Sequence, residues 1–273
     1  MNKQKYNQDN PMLVNSVVCA IDILGFSEMI VNSCKNGYGD KLLREVSHLI
    51  NKNKQCIIPN KYSQGKIKIY TDNMIVGYPI KGDGQEELYE ILENVSEYQF
   101  NLSIEGLFVR GGISVGDFYI NEDIVFGPAL LDAHITESKL ACYPRIILDN
   151  KTVDRLQKYI KNYECYPQRN KILIDNDGQW FLNYLTTIFK YYTECENEYE
   201  FEKLQIELLL RHKMKIEEML SIHKENTNVW DKYVWTANYH NYFCDLNFPR
   251  EKQLKISRKS LLSWPREISN NDF

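Results

Sequence analysis

A chain of 273 residues, 43% apolar and 26% charged, is long enough for one large domain, or a domain with an appendage, around a sizeable core. Its net charge of −4 gives no global basic footprint, which argues against tight nonspecific binding of nucleic acid. The seven cysteines (19, 34, 56, 142, 165, 195 and 244) form no CxxC pair, there is no signal-peptide pattern, and no apolar run approaches the roughly 20 residues that span a bilayer. The expectation is a cytoplasmic protein with no direct membrane contact.

In chain order, residues 1–12 are polar and read as a loose, flexible tail. Val14 to Leu24 reads as the first strand, and from Val17 it is an apolar run broken by one acid, Asp22, as in a strand buried on both faces. Phe26 to Asn53 has helical spacing with a possible break at Asn36-Gly37 and Gly39. Lys66 to Tyr78 reads as a hairpin bent at Thr71 to Asn73, and Gln85 to Glu105 as an amphipathic helix. Leu107 to Gly116 predicts a strand interrupted at Gly111-Gly112, followed by a turn at Asn121 to Asp123. Pro128 suits the first position of a helix running to Leu140. A strand at Arg145 to Leu148, a helix over Thr152 to Tyr163 and a hairpin over Ile172 to Leu185 follow, and from Thr186 the pattern is helical. Helices alternating with antiparallel hairpins predict an α/β (α+β) sandwich of the ferredoxin-like kind, with a C-terminal helical extension. No GxGxxG or GxxxxGK[ST] loop is present, so dinucleotide-fold and P-loop readings have no residues to rest on.

The chemistry gathers on the first strand and the hairpin. A carboxylate inside an apolar strand is costly unless paired with a cation or metal, and Gly25 lets the backbone approach a ligand at the start of the next helix. Alternation puts Lys68, Tyr70 and Asp72 on one strand face. If that strand lies beside the first, Asp72 meets Asp22, and two such carboxylates suit a hard divalent ion, Mg²⁺ or Mn²⁺. The plain alternative is a lysine–aspartate pair with unrelated strand acids. His134, His212, His223 and His240 are too scattered along the chain for a metal site. The aromatic cluster of Tyr233 to Trp235 and Tyr239 to Phe243 reads as packed core or dimer contact, and Glu194 to Glu202 as a solvated acidic face.

The set Ile21-Asp22-Ile23-Leu24-Gly25-Phe26-Ser27, Lys68-Ile69-Tyr70-Thr71-Asp72, Arg110-Gly111-Gly112-Ile113-Ser114-Val115-Gly116 and Val125-Phe126-Gly127-Pro128-Ala129 resembles the class III nucleotidyl cyclases. Their pattern runs D-I-x-G-F-[ST], K-x-x-G-D, R-x-G-I-x-x-G and W-G-N in this order, and the match covers residues 14–186. The wording Phe126-Gly127-Pro128-Ala129-Leu130 and Tyr143-Pro144-Arg145-Ile146 looks more like the stand-alone pyrimidine cyclases of bacterial Pycsar anti-phage systems. The resemblance implies a flexible tail over 1–12, a catalytic domain over 13–186 and a helical extension over 187–273. It also implies conversion of CTP or UTP to a 3′,5′-cyclic nucleotide and pyrophosphate, with two Mg²⁺ or Mn²⁺ ions per site. Asp22, the Ile23 carbonyl and Asp72 fall on the metal ligands, the Gly25-Phe26-Ser27 amides on the phosphate cradle, and Lys68, beside Tyr70, on base recognition. It implies a homodimer with composite sites, and a cyclic-nucleotide-sensing effector reached through the product.

The departures from the adenylate cyclase pattern are specific. The positions of its transition-state Asn and Arg fall on Leu131 and Ile135, and that of its base-reading Asp on Ile124. Arg110 is the substitute expected to supply the transition-state cation. Two alternatives stay open: an adenylate cyclase with Lys68 reading adenine, and a catalytically silent cyclase-like module that binds nucleotide or a partner.

Overall fold

The structure, a computed structural model, describes residues 5–57, 64–162, 170–257, 265–269 and 272. Strand β1 (Val14–Ile23) leads through Gly25 into α1 (Phe26–Lys35), and α2 (Gly39–Ile57) follows. The hairpin β2 (Lys66–Tyr70) and β3 (Asn73–Pro79) precedes α3 (Gln85–Ser103). Then come β4 (Val109–Ile120), the short β5 (Val125–Phe126), α4 (Pro128–Ile135) with a π-helical turn over Thr136–Leu140, β6 (Ile146–Leu148) and α5 (Asn150–Asn162). The chain finishes with β7 (Ile172–Ile174), β8 (Trp180–Leu182), a 3₁₀ segment (Tyr184–Glu194), α6 (Glu198–Ile222), α7 (Thr227–Asn247) and β9 (Arg266–Glu267). Tyr163, where the sequence pattern ends the fifth helix, lies outside the described residues.

The strands form one mixed sheet in the order β2-β3-β1-β4-β6-β8-β7-β9, with β5 paired to β4. Its first four strands, all antiparallel and ordered 2-3-1-4, are the ferredoxin-like arrangement that the sequence pattern predicts. Burial follows the period of the strand. Val17, Cys19, Ile21 and Ile23 of β1 join the core formed with α2 and α3, while Val18 and Ala20 face the opposite layer with Ala129 and Ala133 of α4.

Three expectations are corrected. The glycine pair does not break β4, which runs for twelve residues through Gly111 and Gly112. The pair permits close approach instead: a Cβ on Gly112 would lie 2.3 Å from the Ala133 carbonyl and 2.9 Å from the Glu137 nitrogen, so only glycine lets the π turn sit against the sheet. The helix after Pro128 does not reach Leu140 as regular α-helix, because it passes into that π turn. The N-terminal segment is not loose throughout: Tyr6 is buried, donates to Ser16 Oγ at 2.8 Å and packs edge-on against Phe118 and Tyr119.

The C-terminal helices bury a large aromatic core against the sheet. Trp235, Tyr239 and Phe243 of α7 pack with Ile147, Leu173 and Phe181 of β6, β7 and β8, so the aromatic cluster is core. Beneath them lies the buried Arg145, ion-paired with Asp175 and Asp177 and set beside the stacked rings of Tyr143 and Trp235. Strand β9 then pairs with β7, which brings the far end of the chain back into the sheet.

Candidate active site

Asp22 is the last even-numbered residue of β1 and therefore shares the face of Val18 and Ala20. The antiparallel register sets it directly opposite Arg110 of β4. Arg110 Nε donates to Asp22 Oδ2 at 3.1 Å, and its Nη2 lies 3.1 Å from the same oxygen. The same guanidinium reaches Glu137 of the π turn, with Nε 3.0 Å from Oε1. Arg110 is thus held by two carboxylates, those of Asp22 and Glu137.

Asp72 arrives by a different route from the one expected. Strand β2 does not lie beside β1, because β3 is inserted between them. Alternation along the hairpin stops at Tyr70, and Asp72 is a turn residue that the bend carries back to the end of β1. There its carboxylate comes close enough to Asp22 to help hold that carboxyl's pKa up. Thr71 makes this bend at φ +50°, the described non-glycine residue held in the left-handed region, a costly conformation for a β-branched side chain. Its hydroxyl donates to Asp72 Oδ1 at 2.7 Å, and Asn73 Nδ2 donates to the same atom at 3.3 Å.

The electrostatics record this crowding. The Asp22 carboxyl is pushed up to about 6, first by burial, with Arg110 opposing and with Glu137 and Asp72 adding to the rise. Two carboxylates in reach of one another, of which one is half-buried and reluctant to ionise, are a donor set that fits a hard divalent cation. Among the described residues, no group of three or more His, Cys, Asp or Glu side chains is placed to hold a metal by itself. Backbone oxygens, such as that of Ile23, and a ligand's own oxygens would have to complete the coordination.

Beside Asp22 the chain turns through Gly25 at φ +74° into α1. No side chain caps this helix start, so the amides of Phe26 and Ser27 stay open to an anion. Phe26 itself is buried in the main core, which fixes where those amides point.

Lys68 and Tyr70 do share a face. The Lys68 ammonium sits 5.0 Å from the centre of the Tyr70 ring and donates to the Glu122 carbonyl at 2.6 Å. Tyr70 is 45% exposed. The residues at the departure positions, Ile124, Leu131 and Ile135, are exposed too, together with Phe126. Leu131 and Ile135 are one helical turn apart and form an apolar stripe on α4.

Two parts of the site escaped the sequence reading. Glu137 is one, an acid whose side chain is only 8% exposed. The other is the approach of α7, where Lys232 borders the site; burial and then Arg110 lower its pKa, while Cys142 and Asp22 raise it. Of the four histidines that the sequence spaces widely, His212 and His240 touch, Nδ1 to Nδ1 at 2.9 Å, in the buried α6–α7 interface.

No family profile matches this sequence, and no curated protein matches it. Solved structures do. A class III adenylyl cyclase-like ATP-binding protein from Pseudomonas aeruginosa is similar over 57% of this chain, at 12% identity and a TM-score of 0.42. The similar part is 37% of that protein's length. The monomeric guanylyl cyclase domain of the RhoGC fusion protein from Blastocladiella emersonii is 15% identical over 62% of this chain and 94% of its own, with a TM-score of 0.37. An adenylate/guanylate cyclase/hydrolase from Silicibacter pomeroyi is 17% identical over 63% of this chain and 95% of its own, with a TM-score of 0.36. At such identities and scores these likenesses assign no family. Among the described residues no helix is long and apolar enough to cross a membrane.

Proposed function

We propose that this chain is a nucleotidyl cyclase that closes a pyrimidine nucleoside triphosphate, CTP or UTP, to its 3′,5′-cyclic nucleotide and releases pyrophosphate. The observation that carries the reading is the meeting of Asp22 and Asp72 beside the uncapped start of α1. Asp22, Asp72 and the Ile23 carbonyl would hold Mg²⁺ or Mn²⁺, which when bound makes the attacking ribose hydroxyl more acidic and offsets the charge of the triphosphate. The protein's own part is positional. Arg110, anchored by Glu137, keeps the Asp22 carboxylate aimed at the end of β1. The Thr71 hydroxyl and the Asn73 amide do the same for Asp72. The Phe26 and Ser27 amides receive phosphate oxygens.

The pyrimidine preference rests on the Lys68–Tyr70 pair. A phenol held by an ammonium-bearing neighbour on an open strand face takes up volume that a second base ring would need, and Lys68 would donate to the acceptor O2 shared by cytosine and uracil. The exposed stripe of Phe126, Leu131 and Ile135 is where a second copy of the chain would dock, making a homodimer with composite sites. Signalling in anti-phage defence through a cyclic-nucleotide-sensing effector follows from the Pycsar-like wording and belongs to the same proposal. A second reading, a silent nucleotide-binding module, is favoured by one observation: Arg110 already supplies Asp22 with a counter-charge. Incubating the protein with each of the four NTPs and Mn²⁺, and identifying the products by mass, separates the two. Cyclic CMP or cyclic UMP supports the proposal, cyclic AMP overturns the base preference, and no cyclic product from any NTP favours the silent module.

A further inference from the structure

Helix α7 is fastened to the strand ends that carry the two charged residues of the site. Tyr233 is buried and packs edge-on against Phe108, 5.4 Å between ring centres, and Ala237, one turn on, is buried in the same cluster with Leu24. Leu24 N in turn donates to the Phe108 carbonyl at 2.8 Å. Leu24 stands two residues after Asp22, and Phe108 two before Arg110. The anchor therefore sets Lys232, the residue just before Tyr233, at the rim of the site.

Lys232 is half-buried, and among the described residues its ammonium has neither an ion-pair partner nor a hydrogen-bond acceptor. It lines a cavity of about 620 Å³ between the start of α1 and the α6–α7 hairpin, with Leu24 and Gly25 on the opposite wall. Glu28, Glu225 and His223 also border this cavity, and neither acid pairs with the lysine. A half-buried ammonium near the Arg110 guanidinium, with Asp22, the carboxylate that acts on it, already paired to that arginine, has no counter-ion of its own and is short of an anion. An extended polyanion lying over Gly25 would supply one.

We propose that Lys232 binds the phosphate chain of the nucleotide, so that the C-terminal helical layer is part of the site and not an appendage to it. This rests on the cyclase reading, because the nucleotide is the ligand it invokes. Lysine suits the role as a point charge on a flexible stem, able to follow phosphate oxygens without fixed geometry.

The test is calorimetric binding to the full chain, wild type against Lys232→Met and Lys232→Arg. The probes are inorganic tripolyphosphate, CTP and ATP, with cytidine as the phosphate-free control, and thermal melts accompany them. Loss of one charge-assisted contact is expected to weaken tripolyphosphate and both nucleotides roughly tenfold to a hundredfold in the Met variant. Cytidine binding and the melting temperature should stay unchanged, and the Arg variant should recover most of the loss. Unaltered tripolyphosphate affinity in Lys232→Met overturns the proposal, as does an equal loss for cytidine, which would mark a structural role. Collapse of the fold in both variants overturns it as well. If wild type binds neither nucleotide, the cyclase reading itself has failed. If wild type and Lys232→Met bind nucleotide equally well, only the role of Lys232 has.

Discussion

Lowering the pH from 7 to 4 should loosen the layer that carries Lys232, because its core holds two uncharged histidines. His212 of α6 and His240 of α7 are both fully buried. The bonding order fixes their tautomers. The Leu254 carbonyl, 2.9 Å away, only accepts, so neutral His240 carries its proton on Nε2 and accepts at Nδ1 from His212. His212 Nε2 must then accept from the Tyr184 hydroxyl at 3.0 Å. A further proton at the shared Nδ1 contact would set two donors against each other. Burial, with the nearby Lys213 and Lys255 adding to it and the Leu254 hydrogen bond opposing, brings His240 down to about 4, and burial brings His212 down as well.

The folded state thus keeps His240 neutral while the unfolded chain takes up a proton below its ordinary pKa of 6.5. The stability that neutrality confers is complete above 6.5, falls as the pH drops toward 4, and levels off below that. Each pKa unit is worth 1.36 kcal/mol, so His240 accounts for about 3 kcal/mol, or a fall in Tm of roughly 6–12 °C for a chain of this size. His212 acts in the same direction, but the pair shares one hydrogen bond and the two contributions do not add. Urea unfolding of wild type and His240→Gln at pH 7, 5.5 and 4.5 measures it. The variant, whose amide still reaches a carbonyl acceptor, should lose about 2.5 kcal/mol less than wild type over that range, most of the full effect. Parallel loss in the two proteins would refute the reasoning.

Other outcomes follow from the same structure. Asp22→Asn should abolish cyclisation yet leave the protein at least as stable at pH 7, since a carboxyl raised to about 6 opposes folding once ionised; chemical unfolding beside a product assay checks both halves. Tyr70→Leu should raise the use of ATP relative to CTP and UTP by roughly tenfold to a hundredfold in competition, and an unchanged ranking at full rate would make Tyr70 structural. Asp175→Ala should cost about 3–5 kcal/mol in urea unfolding, because it strips the buried Arg145 of a partner and the Trp235 indole of its acceptor, 2.7 Å away.

Most of the fold was legible because the strands and helices carry clean periods. The apolar run of β1, the hairpin around Thr71 and the amphipathic α3 each have local signals. Asp22 and Gly25 could be singled out for the same reason, as an acid and a glycine interrupting an apolar run. What could not be read depends on register and distance. That Arg110 faces Asp22, 88 residues apart, is decided by how β1 and β4 pair. Glu137 becomes a buried partner only because Gly112 admits a π turn, which has no sequence signature. His212 and His240 meet through helix packing that no spacing rule contains. Lys232 looks like any surface lysine of an aromatic helix until Tyr233 is seen to lock that helix onto Phe108. The glycine pair misled in the opposite direction, since the same residue that breaks a strand also lets another backbone come close.

The most direct test of the central claim is mass identification of the products that purified protein makes from each of the four NTPs with Mn²⁺, alongside Asp22→Asn and Asp72→Asn. Cyclic CMP or cyclic UMP with released pyrophosphate from wild type, and none from either variant, is the predicted result. A cyclic product that persists in both variants would contradict the two-aspartate site. No cyclic product from wild type with any NTP would contradict the cyclase reading as a whole.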